Sequence, residues 1–192
     1  MSARSTGVLV VGRSQLVLDT TLRILTERGY RAVVTRDADD ITAQVDAADL
    51  DVVVFGGQVA QQQKAEMRAA LSAVSPDLAF LQGLAGIPGL IVDQVESWTT
   101  RELSIPGQAP TYDPGAREIE LVLFAPLPAE VTVYWITELV PPDPKSTSVV
   151  LANGTLPEGR HTFRVPDDVA LDLGFATVRA GEASWSFPLG SR

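Results

Sequence analysis

The chain contains no cysteine and a single histidine, His161. The first absence excludes disulfides, thiolate metal sites and cysteine nucleophiles. The second excludes zinc and iron sites built from several histidines. Long apolar runs are missing too. The richest stretch, residues 79–92, is interrupted by Gln82, by glycines and by Pro88, short of the roughly 20 apolar residues a membrane helix needs. Basic residues are scarce: 15 Lys and Arg stand against 24 Asp and Glu, a net charge of −9, and the arginines are scattered singly, as at Arg28 and Arg31. Such a balance repels nucleic-acid phosphates and acidic bilayers, so neither nucleic acid nor membrane is expected as a partner. The polar opening, Met1 to Thr6, has no apolar h-region or cleavage signal, and a cytoplasmic protein is expected.

What is present is enough for folded domains. The 192 residues, 45% of them hydrophobic, suit two small cores. The first half alternates apolar runs with amphipathic ones. GVLVVG (7–12), RAVVTR (31–36) and DVVVFG (51–56) read as strands, with a fourth over Leu78–Gly83. Between them, Leu16, Leu18, Leu22, Ile24 and Leu25 space a helix that stops at Gly29. Ile41, Val45 and Leu50 space a second, with Asp37 or Asp39 placed to cap it. A third helix covers 61–74, with Met67, Leu71 and Val74 on one face, and a fourth starts at Pro88. This alternation predicts a doubly wound parallel α/β sheet of four or five strands over residues 1–98.

Near Thr99 the pattern changes. Prolines cluster, helical periodicity ends, and residues 99–117 read as a linker in which Leu103–Ile105 could add an edge strand. Beyond it strands alternate: Ile119/Leu121/Leu123, Val131/Val133/Trp135, His161/Phe163/Val165 and Trp185/Phe187/Leu189. Turn signals stand at Asn153-Gly154, Pro157-Glu158-Gly159 and Ala180-Gly181. Residues 118–192 therefore predict a small β-sandwich, similar to an immunoglobulin-like domain but without the Cys…Trp…Cys signature of antibody domains.

Over residues 7 to about 98, the order of elements, the opening GVLVVGRSQLVLDTTLRILTERGYRAVVTRDADD and the run DVVVFG resemble a receiver domain of two-component signalling. The resemblance implies a flavodoxin-like fold, and its chemistry can be checked position by position. Where a receiver holds its magnesium-binding acidic pair, this chain has Gly12, Arg13 and Ser14. Where the phosphoacceptor aspartate ends the third strand stands Gly56, with Asp51 at the start of the run instead. Gln82 and Gly83 replace the usual hydroxyl residue, and the lysine after a fifth strand has no counterpart. The resemblance thus points to a pseudo-receiver, without bound magnesium or phosphoryl transfer.

Other candidates have competing readings. Gly12-Arg13-Ser14 lies between strand and helix, where backbone N–H groups can hold an anion, but Ser14 also reads as a plain helix N-cap. Gly56-Gly57 allows either close approach of a ligand or a tight turn. Asp37, Asp39 and Asp40, and likewise Asp167, Asp168 and Asp172, read as solvated acids rather than a cation site. His161 reads as a strand residue, and Trp135 and Trp185 as core anchors. No catalytic residue, metal site or cofactor is expected. The leading expectation is a protein that is not an enzyme and serves interaction or regulation, its partner another protein or a second copy. The alternatives are a small-ligand or nucleotide-binding protein or enzyme using Gly12, Arg13, Ser14, Gly56 and Gly57, and a structural subunit of a larger bacterial assembly.

Overall fold

The computed structural model describes residues 5–36, 41, 45–83, 86–140 and 144–190. The chain forms two units, Met1–Val95 with Val140–Asp143 and Glu96–Leu139 with Pro144–Arg192. Among the described residues no helix is long and apolar enough to cross a membrane.

In the first unit, strands β1 (Gly7–Val11), β2 (Arg31–Thr35), β3 (Val52–Phe55) and β4 (Ala79–Gln82) form one parallel sheet in the order β2-β1-β3-β4. Helices α1 (Gln15–Glu27), α2 (Gln61–Val74) and α3 (Pro88–Thr99, whose residues from Glu96 on belong to the second unit) accompany them, and Pro88 takes the first helical position. β2 and β4 lie on opposite sides of the β1–β3 pair. Right-handed crossovers therefore place α1 and α2 on opposite faces of the sheet. This explains why β1 and β3 are buried along their whole length and read as unbroken apolar runs. Leu9, Val11, Val53 and Phe55 pack with Met67 and Leu71 of α2 in one core, and Val8, Val10, Val52 and Val54 face the other way.

The helix faces differ from those the sequence pattern predicts. On α1 the buried residues are Leu18, Thr21 and Leu25, while Leu16 is 69% exposed. On α2 the buried face is Lys64, Met67 and Leu71, and Val74 points outward. Leu16 lies off the i, i+3, i+7 stripe of its helix, whereas Val74 continues the stripe of α2 but is its last residue and 57% exposed. Most of the expected second helix, with Asp37, Asp39 and Asp40, lies outside the described residues. Ile41 and Leu50 are buried, and a 3₁₀ turn covers Ala47–Asp49, capped by Asp46. The described sheet has four strands.

The second unit contains β5 (Thr111–Asp113), β6 (Glu118–Leu123), β7 (Leu127–Glu138), β8 (Lys145–Leu156), β9 (Gly159–Arg164), β10 (Gly174–Ala180) and β11 (Ala183–Pro188). They make two antiparallel sheets, β11-β10-β7-β8 and β5-β6-β9. Ile119, Leu121 and Leu123 of one sheet share a core with Val131, Val133, Ala176 and Val178 of the other. Trp135 and Trp185 pack against it, half-buried. β5 lies inside the stretch read as linker. Asn153-Gly154 is no turn: both residues lie within β8, paired with Glu130 and Ala129. This edge strand is exposed over most of its length and carries an extra residue, Leu151, between its pairings to Val131 and Thr132. Exposure and the bulge erase the alternation that would have revealed it.

At the amino edge of the parallel sheet, the Gly7 N–H donates to Asp51 Oδ2 at 2.7 Å and the Asp51 N–H donates back to the Gly7 carbonyl at 2.9 Å. A Cβ on Gly7 would lie 1.9 Å from the Asp49 carbonyl oxygen. That contact is with backbone, which cannot swing away. Gly7→Ala is expected to cost about 3 kcal/mol, the upper end for overpacking; urea unfolding followed by far-UV circular dichroism measures it.

Candidate functional site

In a parallel α/β sheet, ligands meet the carboxyl edge of the strands where the strand order reverses. Here that point lies between β1 and β3, and the chain there is glycine. The Gly12 N–H donates to the Thr35 carbonyl at 3.0 Å, that of Gly56 to Val11 at 2.7 Å, and that of Gly83 to Phe55 at 2.8 Å. Each strand end thus extends the ladder by one bond. A Cβ on Gly56 would stand 3.1 Å from the Val11 carbonyl oxygen and 3.3 Å from Gly12 Cα. The space between these two strand ends is therefore filled by backbone. Gly57 is open: a Cβ there would meet nothing within 4 Å. It sits in a turn closed from the Val59 N–H to the Gly56 carbonyl at 3.2 Å.

The two sequence-predicted loops are thus neighbours, but their members differ in role. Ser14 is the N-cap of α1: its Oγ accepts from the Val17 N–H at 3.2 Å. Arg13 is exposed and reaches across to α2, donating to Gln63 Oε1 at 2.9 Å.

Sequence reasoning missed a buried cation at this edge. Lys64 lies on the buried face of α2, 4% exposed, and its Nζ donates to Gln82 Oε1 at 2.9 Å. Gln82, itself exposed, is held from behind by bonds from its Nε2 to the carbonyls of Phe55 (3.0 Å) and Gly83 (3.2 Å). Burial, reinforced by the like charge of Arg68, lowers the Lys64 pKa below its usual 10.5. The Arg68 guanidinium lies 5.5 Å from the Phe55 ring centre and 5.6 Å from that of Phe80. Among the described residues, none of Arg13, Lys64 and Arg68 meets a carboxylate. The available signal was the spacing of Lys64 with Met67 and Leu71, which puts a cation on an apolar face.

Elsewhere several charged groups are paired. Asp93, 1% exposed, meets Arg28 at 3.1 Å. In the second unit Arg179 is held between Glu96 (2.5 Å) and Glu130 (3.1 Å), beside a shallow depression of about 240 Å³ that Asn153, Gly154 and Gly181 also line. His161 Nε2 lies 2.8 Å from the Pro157 carbonyl and its ring stacks near Phe163, a strand residue with a local partner. Among the described residues no three His, Cys, Asp or Glu gather as metal ligands.

No protein-family model and no curated protein matches the chain. Solved structures similar to it include the macrocyclase MdnB from Microcystis aeruginosa MRC, at 14% identity over 97% of this chain and 91% of that one, with a TM-score of 0.32. The macrocyclase MdnC from the same organism, bound with precursor peptide MdnA, aligns at 13% identity over 97% and 92% with a TM-score of 0.30. The ATP-grasp ligase PsnB, complexed with a minimal precursor, aligns at 11% over 97% and 90% with a TM-score of 0.27. These neighbours are enzymes, which corrects the expectation that this chain is not one: that exclusion is withdrawn. TM-scores this low carry no activity over to it.

Ser14 gives a direct check on the α1 cap. Ser14→Ala should lower stability by about 1 kcal/mol and Ser14→Gly by only a few tenths; thermal unfolding of the pair distinguishes a capping hydroxyl from a solvated one.

Proposed function

We propose that the first unit is a receiver-like domain without the family's phosphoacceptor and that, joined to an immunoglobulin-like β-sandwich, it serves protein interaction or regulation. The observation that carries this reading is the distribution of carboxylates about the parallel sheet. The strand ends at the carboxyl edge are Gly12, Gly56 and Gly83, while Asp51 is spent at the amino edge on the Gly7 N–H. An aspartyl phosphate needs its carboxylate at the opposite end of β3.

Strand order supports the fold half of the proposal. The order β2-β1-β3-β4 equals the first four strands of the doubly wound flavodoxin-like sheet. In the second unit, β5, β6 and β9 correspond to strands A, B and E of an immunoglobulin-like sandwich, and β11-β10-β7-β8 to G-F-C-C′. Contact surface is available in both units: Leu16 and Val33 in the first, Phe124, Leu139 and Val150 in the second, are large apolar side chains at least 43% exposed.

Incubation with acetyl phosphate and magnesium tests the reading. Intact-mass spectrometry is expected to return the unmodified chain, and a stable phosphoryl adduct on any aspartate would sink it. In the same preparation, light scattering over a concentration series is expected to show a mass rising above the 20.5 kDa monomer. A constant monomer mass would remove the second copy as partner.

A further inference from the structure

A buried ammonium without a counter-ion is costly, because desolvation is not repaid by attraction. Lys64 is such a group. It has three N–H donors and, among the described residues, one neutral acceptor, Gln82 Oε1 at 2.9 Å. The charged neighbour acting on it, Arg68, has the same sign and worsens the balance. The chain as a whole has an excess of acidic groups, 24 against 15, so carboxylates to pair with it were not in short supply. Nor is the ammonium sealed off. Its one acceptor belongs to an exposed side chain at the rim of the carboxyl edge, and an incoming acceptor could replace that amide oxygen without disturbing the core.

We propose that Lys64 is the centre of an oxyanion site at the carboxyl edge of the parallel sheet, taking a phosphate group that displaces the Gln82 amide from its ammonium. Arg13, exposed at the same edge and bonded to Gln63 of α2, supplies a second charge within the reach of a long side chain, and its guanidinium presents several donors to one anion. The strand ends at Gly56 and Gly83 are closed by backbone and by Val54, and the open space on the loop after β3 is at Gly57, where a Cβ would meet nothing within 4 Å. The overall charge of −9 does not forbid this: at physiological salt, charges more than about 8 Å away are largely screened, and the charge acting on Lys64 among the described residues is the cation Arg68. The site is independent of the interaction reading, and either can fail alone.

Isothermal titration of the full chain, exchanged into phosphate-free buffer, with inorganic phosphate in one arm and a nucleoside 5′-monophosphate in the other tests the site. Saturable binding is expected in at least one arm. Binding of free phosphate identifies the bare anion as sufficient, and binding of the nucleotide alone identifies a phosphate carried on a larger molecule. Lys64→Met should weaken the binding by at least about tenfold and raise Tm by about 2–4 °C. A merely structural lysine would instead lower Tm on removal. Because the native Lys64 pKa is lowered, the unfolded chain binds more protons up to pH 10.5, so wild-type stability recovers and the Tm gap closes as pH rises towards that value. Arg13→Gln, at an exposed position that leaves the fold intact, should weaken binding several-fold. Absence of saturable binding in both arms overturns the proposal, as does wild-type affinity in either variant.

Discussion

Between β1 and β3 there is room for backbone and for nothing else. At one end the Gly7 N–H is taken by the Asp51 carboxylate at 2.7 Å, and at the other the Gly56 N–H is taken by the Val11 carbonyl at 2.7 Å. The eight residues paired between these ends, Val8–Val11 with Val52–Phe55, are all at most 2% exposed. Fully buried parallel strands must satisfy every backbone donor within the sheet, since no water reaches them. Glycine at the ends lets the ladder run one residue past the core, and the side chain of Asp51 closes it where the backbone alone does not. Helix placement depends on the same pair, because β2 and β4 flank it and so send α1 and α2 to opposite faces.

That constraint also decides where chemistry can sit. Strand ends made of glycine carry no functional groups, so the polar side chains of the carboxyl edge are supplied by their neighbours: Arg13 before α1, Lys64 in α2, and Gln82 at the last position of β4. The loss is specific. It removes a carboxylate from the end of β3, which bears on aspartyl phosphate chemistry, and it says nothing against a reaction run by groups on helices and loops. Those glycines therefore do not exclude catalysis.

The fold was legible wherever burial is one-sided or complete. GVLVVG and DVVVFG announce β1 and β3 because both faces are covered, and Ile119, Leu121 and Leu123 announce β6 because one face is. It was illegible where exposure and irregularity combine. β8 presents Lys145-Ser-Thr-Ser to solvent, then slips register at Leu151, and the Asn153-Gly154 pair that reads as a turn lies flat in the strand with Gly154 at φ 145°. Nothing in a hydrophobic pattern can report a strand that buries so little.

The site was half-legible for a different reason. The loops at Gly12–Ser14 and Gly56–Gly57 are found by asking where strands end, a question the pattern answers. Lys64 is found only by asking which residue on an apolar face is out of place, and helix 61–74 hides it, because Val74 offers a more hydrophobic third member for the face of Met67 and Leu71. Spacing puts Lys64, Met67, Leu71 and Val74 on one face, and position along the helix separates them: Val74, the last residue, is 57% exposed and Lys64 is 4% exposed. A long side chain can normally escape such a position by extending its charged end into water. Lys64 extends to the rim and stops there on the Gln82 amide, still buried. The stem is used as core and the ammonium is left at the edge of the sheet with a neutral partner, an arrangement that packing alone would have resolved more cheaply with leucine or methionine.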